Sequence, residues 1–290
     1  MTQHPDARRT LGVAAIKDGI RTLGLSGRPV CVHSSLRSFG QPVERGADGI
    51  LDAFLDEGCT VLVPTFSWVF SIPPPPEQRP ARNAFDYSRS NEAWRALVTK
   101  RRLDRAGDLI YTPETNEIDG DMGALPNALL QRRERERGDH PLNSFAALGR
   151  LAAELVRDQR PLDVYAPLEA LASADGAVLL IGVGLDRMTL LHAAEKRSGR
   201  NLFRRWSKDR DGTPMAVQTG SCSRGFPRLE HLLSDLATEV HVGKSRWRAF
   251  PADAVLERAA NAIRDEPSIT RCTDPECERC RDAVLGGPLL

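Results

Sequence analysis

The residues best suited to acid–base chemistry lie in one octad, Thr189 to Lys196, which follows an apolar run typical of a buried strand. His192 falls in the first turns of the helix that this octad predicts, and Glu195 follows three residues later on the same face. A neutral imidazole can accept a proton near pH 7, and the partial positive charge of a helix N-terminus disfavours the imidazolium. His192 is therefore a candidate for a catalytic base, oriented by Glu195 or Asp186, with Asp186 also a candidate for the N-cap. A structural histidine is the alternative that these residues alone leave open.

Three of the six cysteines crowd together near the C-terminus in the pattern Cys272-x4-Cys277-x2-Cys280. A structural zinc site needs four ligands, and Cys-x-x-Cys is a frequent half of such a site. Cys222 is the expected fourth ligand, because the other two cysteines lie in apolar, strand-like runs. Four thiolates leave no open coordination position, so we expect a structural zinc ion that staples the tail. A reduced, metal-free tail is the alternative.

Three short apolar runs, at residues 29–35, 59–66 and 177–183, alternate with helix-like segments such as 8–24 and 47–56. This pattern predicts an α/β fold with a largely parallel central sheet and helices on both faces. Further predicted elements are helices at 91–101, 125–137, 150–157, 168–173, 226–238 and 252–264, strands at 108–111, 144–148 and 215–218, and an extended proline-rich insert without helix at 71–83. A single domain over residues 1–290, with 219–285 contributing a cysteine-rich appendix, is the simplest organisation.

Composition narrows the class of protein. With 290 residues, 41% of them hydrophobic and 27% charged, the chain is expected to be globular and soluble. No apolar run is as long as a membrane span, and the first residues lack the apolar core of a signal peptide, so we expect a cytoplasmic protein without a membrane partner. The net charge of +1 argues against a dedicated nucleic-acid binder.

Five segments, in this order along the chain, together resemble the aminoglycoside 3-N-acetyltransferase family, which has the antibiotic N-acetyltransferase fold. They are Val30–Gly40, Thr60–Ser67, Met122–Pro126, His140–Gly149, and Val178–Asp186 running into Leu191–Glu195. No single segment is specific, but the ordered set is. The tail around Cys277–Cys280 is similar to a subgroup that includes apramycin-acetylating members.

The resemblance implies an acetyl-CoA-dependent enzyme that acetylates an amino group of an aminoglycoside at the 3-N position, with His192 as the catalytic imidazole and Glu195 in support. The residues expected to line the acetyl-CoA groove are His33, Ser34, Ser35, Leu36, Arg37, Phe39, Thr65, Ser67 and His140. A polycationic acceptor also needs carboxylates, for which Asp119, Asp121, Glu169 and Asp163 are candidates. Many members of the family carry an acidic residue in the loop after the strand that follows the histidine helix. The corresponding loop here, Thr219–Arg224, has none.

We expect direct transfer, because no cysteine has an obvious nucleophile context, and backbone amides near Ser34–Leu36 are candidates for the oxyanion site. Two alternatives remain open at this point. One is an acyl-CoA-dependent N-acyltransferase that acts on a different amine metabolite. The other is a zinc-stabilised binding adaptor. A homodimer is also left open.

Overall fold

The computed structural model describes residues 10–80, 82–84 and 106–289. Its strands are β1 (Pro29–Ser34), β2 (Thr60–Pro64), β3 (Ser71–Ile72), β4 (Glu136–Arg137), β5 (Phe145–Leu148), β6 (Ala177–Ile181), β7 (Phe203–Lys208), β8 (Pro214–Thr219), β9 (Thr238–Val242) and β10 (Ser245–Pro251). Its α-helices are α1 (Val13–Thr22), α2 (Gly46–Asp56), α3 (Ala124–Leu130), α4 (Ala152–Val156), α5 (Ala166–Ser173), α6 (Leu190–Arg197), α7 (Glu230–Leu233), α8 (Ala252–Asp265) and α9 (Glu278–Val284).

Seven of these strands form the central sheet, in the order β4-β5-β2-β1-β6-β10-β9. At its centre β1 pairs in parallel with both β2 and β6. The outer strands β5 and β10 join this parallel centre in antiparallel fashion. A separate three-stranded sheet has the order β3-β7-β8. The expected α/β class is confirmed. The sheet is mixed, and its parallel strands lie at the centre.

Helices cover both faces of the central sheet, as the short apolar runs predicted. Side chains alternate between the faces of a strand, so Val30 and Val32 of β1 pack in the core formed with α1, α2 and α3. Cys31 points the other way, into the core formed with α4, α5, α6 and α8. A strand that is buried on both faces reads as a continuous apolar run, which is why the sequence revealed it.

Several predicted elements differ from the structure. The helix predicted at 226–238 is wrong, because Pro227 lies in a 3₁₀ helix (Ser223–Leu229) and only α7 is α-helical there. The helix predicted at 125–137 ends at Leu130, the strand predicted at 108–111 is absent, and the proline-rich insert contains a 3₁₀ turn at Pro76–Gln78. The helix predicted at 91–101 lies outside the described residues.

Residues 219–285 are not an appendix. This segment supplies β9 and β10 to the central sheet, and its helix α8 packs against α6. Arginines at 246 and 248 alternate with buried Trp247 and Ala249, so β10 lacks the uninterrupted apolar run of the central strands. Among the described residues, no helix combines the length and apolarity needed to cross a bilayer.

Candidate active site

The carboxyl ends of the parallel strands meet at one edge of the sheet, and a cavity of about 980 Å³ opens there. Ser34, Pro64 and Gly182, which lie at or just beyond the ends of β1, β2 and β6, are on its wall. His192, in the first turn of α6, is on the same wall. This is the edge where open α/β sheets bind ligands.

His192 and Glu195 form a buried pair. The distance from His192 Nδ1 to Glu195 Oε2 is 2.7 Å, and their side chains are 11% and 2% exposed. An ionised carboxylate can only accept a hydrogen bond, so Nδ1 carries the proton in this pair. The lone pair of the neutral ring is then on Nε2, which is the nitrogen that can take a proton from a reactant.

Two further groups contact the Glu195 carboxylate. Arg200 Nη1 donates to Oε1 at 2.6 Å, and the Ser221 hydroxyl lies 2.8 Å from Oε1 and 2.6 Å from Oε2. Burial by itself would raise the pKa of Glu195, but its interactions with His192, Arg200 and Ser221 outweigh burial and lower this pKa below its ordinary value. The carboxylate is therefore ionised at neutral pH.

The imidazole is also packed from several sides. The Tyr165 ring is stacked on it with centroids 6.1 Å apart, and the Phe226 ring meets it edge-on at 4.7 Å. The backbone of Gly220 closes a third side, since a Cβ atom added there would lie 2.8 Å from His192 Cδ2. These contacts leave the ring little freedom to change its orientation.

Asp186 does not cap α6. It lies in a 3₁₀ turn (Leu185–Arg187) between β6 and the helix, and the N-cap is Thr189. Asp186 lines the cavity beside Arg187, with its Oδ2 3.5 Å from Arg187 Nε. The cap prediction is wrong because this extra turn moves the start of the helix. Glu195, and not Asp186, is the carboxylate that contacts His192.

The predicted acetyl-CoA residues divide into two sets. His33, Ser34, Ser35, Leu36 and Arg37 are all on the cavity wall. Burial, followed by the charge of Arg187, lowers the pKa of His33 to about 4, so the His33 imidazole is neutral at pH 7. The amide of Ser35 donates to the carbonyl of Ile181 at 2.9 Å, which removes it from the expected oxyanion donors.

The other predicted groove residues are not brought to the cavity wall. They are Phe39, Thr65, Ser67 and His140. Phe39 packs edge-on against Trp247 in the core, while Thr65 Oγ1 and Ser67 Oγ donate to backbone carbonyls at 3.1 and 3.0 Å. His140 Nδ1 accepts a hydrogen bond from the Asn143 amide at 2.9 Å, and burial lowers the pKa of His140 to about 3. Sequence reasoning could not separate side chains that line the wall from those that build the loops behind it.

The predicted acceptor carboxylates also divide. Asp119 and Asp121 line the cavity. Glu169 is not among the lining residues and forms an ion pair with Arg197, and Asp163 forms one with Lys196 at 2.6 Å. Glu169 and Asp163 are therefore not brought to the site, and each forms an ion pair with a basic residue of α6 instead.

The four cysteines do come together. The Sγ atoms of Cys222, Cys272, Cys277 and Cys280 all lie within 4.8 Å of one another. Three of the four residues are buried, and Cys277 is half-buried. In a tetrahedral four-thiolate zinc site the sulfur atoms are roughly 3.8 Å apart, given Zn–S bonds of about 2.3 Å, so the donor set fits zinc.

Residues beside this cluster reach the active site, and sequence reasoning missed them. Ser221, next to Cys222, contacts Glu195, and Arg279, between Cys277 and Cys280, lines the cavity. Their positions next to the cysteines could have indicated them, because a cluster that fixes four side chains also fixes the residues beside them in the sequence. Arg200 gave no such signal, since its five-residue spacing from Glu195 crosses the end of α6.

Comparison with known proteins places this geometry in a family. A family described as aminoglycoside 3-N-acetyltransferase matches residues 31–264. Aminoglycoside N(3)-acetyltransferase IX of Micromonospora chalcea is 30% identical over 277 residues, covering 86% of this chain and 92% of that protein. Aminoglycoside N(3)-acetyltransferase VII of Streptomyces paromomycinus is 33% identical over 61% of this chain and 57% of its own length.

Solved structures share the fold. A mutant of aminoglycoside acetyltransferase AAC(3)-IVa in complex with a gentamicin superposes with a TM-score of 0.73 at 24% identity, covering 99% of both chains. The YokD protein of Bacillus subtilis superposes with a TM-score of 0.71 at 21% identity, over 90% of this chain and 96% of that one. The resemblance inferred from the ordered segments is confirmed by the family match, which spans most of the sequence, and by a relative 30% identical over 86% of it: this chain belongs to the aminoglycoside 3-N-acetyltransferase family.

Proposed function

We propose that this protein transfers the acetyl group of acetyl-CoA to an amino group of an aminoglycoside, at the 3-N position, with His192 as the general base. Relatives named aminoglycoside N(3)-acetyltransferases support the reaction, and solved relatives in complex with a gentamicin and with sisomicin support the class of acceptor. The observation that carries the proposal is the His192–Glu195 pair at 2.7 Å on the wall of the strand-end cavity.

The chemistry follows from that pair. An acceptor ammonium must lose a proton before its nitrogen can attack the thioester carbonyl, and Nε2 of His192 accepts this proton directly or through one water. The new C–N bond forms and the thioester C–S bond breaks. The proton that the attacking nitrogen loses on becoming an amide passes to the departing CoA sulfur, which leaves as the thiol, and the imidazolium then releases its proton to solvent. The Glu195 carboxylate stabilises the imidazolium while the proton is on the ring. Within the described part of the chain the cavity lining contains no cysteine, which favours direct transfer.

The charges on the cavity wall suit two reactants of opposite charge. Asp119 and Asp121 lie in the segment that leads into α3 and provide carboxylates for a polycationic acceptor. Arg37, Arg187 and Arg279 provide guanidinium groups, which bind the phosphates of CoA by charge-assisted hydrogen bonds. In this arrangement the acceptor binds at the acidic side and acetyl-CoA binds along the ends of β1 and β6.

The cysteine cluster has a structural part in the proposal. Cys222, Cys272, Cys277 and Cys280 would hold a zinc ion, which supplies no catalysis because four thiolates fill its coordination shell. The ion would join the loop after β8 to α9 and to the segment that leads into that helix.

Release of CoA thiol measures the reaction directly. The assay uses acetyl-CoA with a panel of aminoglycosides and, in parallel, non-aminoglycoside amines. Wild-type protein is expected to release thiol with aminoglycosides, and His192→Ala to lower kcat by about 10²- to 10⁴-fold, which is the usual contribution of a general base. His241→Ala is the matched control, because His241 is an exposed histidine on β9.

Two results would contradict the proposal separately. Turnover near wild type in His192→Ala would remove the base assignment. Thiol release only with amines outside the aminoglycosides would remove the acceptor and leave the acyltransferase chemistry in place.

A further inference from the structure

The hydroxyl of Ser221 has no role in the proton transfer described above, but it contacts Glu195, the carboxylate that pairs with His192. Ser221 Oγ lies 2.8 Å from Glu195 Oε1 and 2.6 Å from Oε2. An ionised carboxylate has no proton to give, so Ser221 is the donor. Glu195 is 1% exposed, so bulk solvent is excluded from the carboxylate end of this contact, where each hydrogen bond matters more. Ser221 itself is half-buried and lies on the cavity wall.

The other two contacts hold opposite oxygens of the same carboxylate. His192 Nδ1 binds Oε2, whereas Arg200 binds Oε1 and is itself anchored by a hydrogen bond from its Nη1 to Thr270 Oγ1 at 2.9 Å. Arg200 is a full charge held in a fixed place, so rotation of the carboxylate toward it would lengthen the bond to His192. Ser221 approaches both oxygens from a different element, the loop after β8, and opposes that rotation.

The position of Ser221 depends on the cysteine cluster. Its neighbour Cys222 belongs to the cluster, and its other neighbour, Gly220, packs on the imidazole. Three consecutive residues therefore contact the ring, the carboxylate and the thiol cluster in turn. A shift of the loop at Cys222 moves the hydroxyl away from Glu195.

We infer that Ser221 is a positioning residue for proton transfer, and that the cysteine cluster acts on the reaction through it. Cys222 holds the loop, Ser221 holds the Glu195 carboxylate, and Glu195 holds the tautomer and orientation of His192. The catalytic consequence rests on the proposed function, in which His192 takes a proton from the acceptor.

Ser221→Ala tests this inference. It is expected to lower kcat about tenfold, the size of one lost hydrogen bond to a charged group, with KM for acetyl-CoA unchanged. Ser221→Thr, which keeps the hydroxyl, is expected to restore most of kcat. Ser198→Ala is the matched control, because Ser198 Oγ donates to the main-chain carbonyl of Glu195 at 2.7 Å and does not contact the carboxylate.

A second readout does not depend on acetyl transfer. The Nδ1–H proton of His192, observed by ¹H–¹⁵N NMR, reports the length of its bond to Glu195. It is expected to move upfield in Ser221→Ala and to stay in place in Ser198→Ala. Cys277→Ser is expected to shift the same resonance in the same direction, whereas Cys59→Ser, at a buried thiol outside the cluster, leaves it unchanged.

The outcomes separate the two proposals. An unshifted resonance with unchanged kcat in Ser221→Ala overturns the inference, and so does a rise in KM for acetyl-CoA at constant kcat, which would make Ser221 a binding residue. The wild-type protein could acetylate no amine while Ser221→Ala still shifts the His192 resonance. That pair of results supports the positioning role of Ser221 and refutes the proposed function. If Ser221→Ala fails to fold, Ser221→Gly, which also removes the hydroxyl, takes its place, and an unshifted resonance with unchanged kcat in that variant overturns the inference.

Discussion

At the scale of single residues, the base depends on a balance of charges that are almost fully buried. Glu195 and Arg200 have side chains that are 2% and 7% exposed, and their Oε1–Nη1 distance is 2.6 Å. Removing one member of such a pair leaves the other as an uncompensated buried charge, which costs more free energy than the pair contributes. The ion pair thus makes the ionised state of Glu195 a property of the fold, and an ionised Glu195 is what fixes the tautomer of His192.

Gly220 permits the imidazole to lie where it does. A Cβ atom at this position would lie 2.5 Å from the Tyr165 hydroxyl and 2.8 Å from His192 Cγ. We expect Gly220→Ala to displace the ring and to lower kcat by about 10- to 100-fold, because small misplacements of a catalytic group cost rate steeply. The thiol-release assay measures kcat, and urea unfolding is expected to show a loss of about 1–3 kcal/mol from overpacking.

Gly12→Ala is the control for this change. Among the described residues, a Cβ atom at Gly12 makes only one ordinary contact, 3.7 Å from Glu44 Oε2, and Gly12 is at the start of α1, away from the cavity lining. If Gly220→Ala turned over at the wild-type rate, the contact between this loop and the ring would have no catalytic meaning.

Some contacts of the site can be predicted from the sequence, whereas others depend on the whole fold. His192 and Glu195 were paired correctly because an i, i+3 spacing on a helix is a local geometric fact. Ser221 and Arg200 reach the same carboxylate through loops whose course depends on the whole fold. The structure corrects the expectation for His140 for a related reason: a histidine in the loop before a strand can face the cavity or accept hydrogen bonds from backbone amides, and here the amides of Leu142 and Asn143 donate to it.

At the scale of elements, the site is made by strands that end together and by short segments that follow them. The centre of the sheet was predictable, because strands buried on both faces are apolar throughout. β9 and β10 are absent from the predicted elements because β9 is mostly exposed and β10 places two arginines, exposed Arg246 and buried Arg248, among its apolar residues. The strand-to-helix connection was predicted as a simple cap, but an added 3₁₀ turn places Asp186 on the cavity wall.

The cysteine cluster is the element-scale feature most open to direct test. We expect metal analysis to find about one zinc per chain, because four thiolates within reach of one another match the ligand number of a structural site. Cys277→Ser is expected to lose the metal and to lower the Tm, since binding energy at such a site is also folding energy. Plasma emission spectrometry and differential scanning calorimetry measure the two effects.

Cys31→Ser serves as the comparison for Cys277→Ser. Cys31 is a fully buried thiol of β1 outside the cluster, so its variant is expected to keep the zinc whatever it does to stability. Metal-free wild-type protein, with a Tm that Cys277→Ser does not change, would refute the zinc proposal.

At the scale of the whole molecule, two buried histidines make the stability of the fold depend on pH. Burial lowers the pKa of His140 to about 3, and burial with the charge of Arg187 lowers that of His33 to about 4, from an ordinary value of 6.5. Between pH 6.5 and these lower values the unfolded chain therefore binds protons that the folded chain does not. The free energy of unfolding contributed by both groups is complete above pH 6.5 and is lost as the pH falls below it.

Replacing His140 tests this dependence on the stability of the whole fold. Each group is expected to remove up to about 2 kcal/mol from the free energy of unfolding between pH 7 and pH 5, at about 1.4 kcal/mol per pH unit and proton. His140→Asn retains an acceptor for the Asn143 amide but no titrating group, so its urea unfolding free energy should fall less over this interval than that of the wild type. His231→Asn, at an exposed histidine, should follow the wild-type curve. Parallel curves for His140→Asn and wild type would mean that His140 can be protonated within the folded protein, and its loop would then have to open without unfolding the sheet.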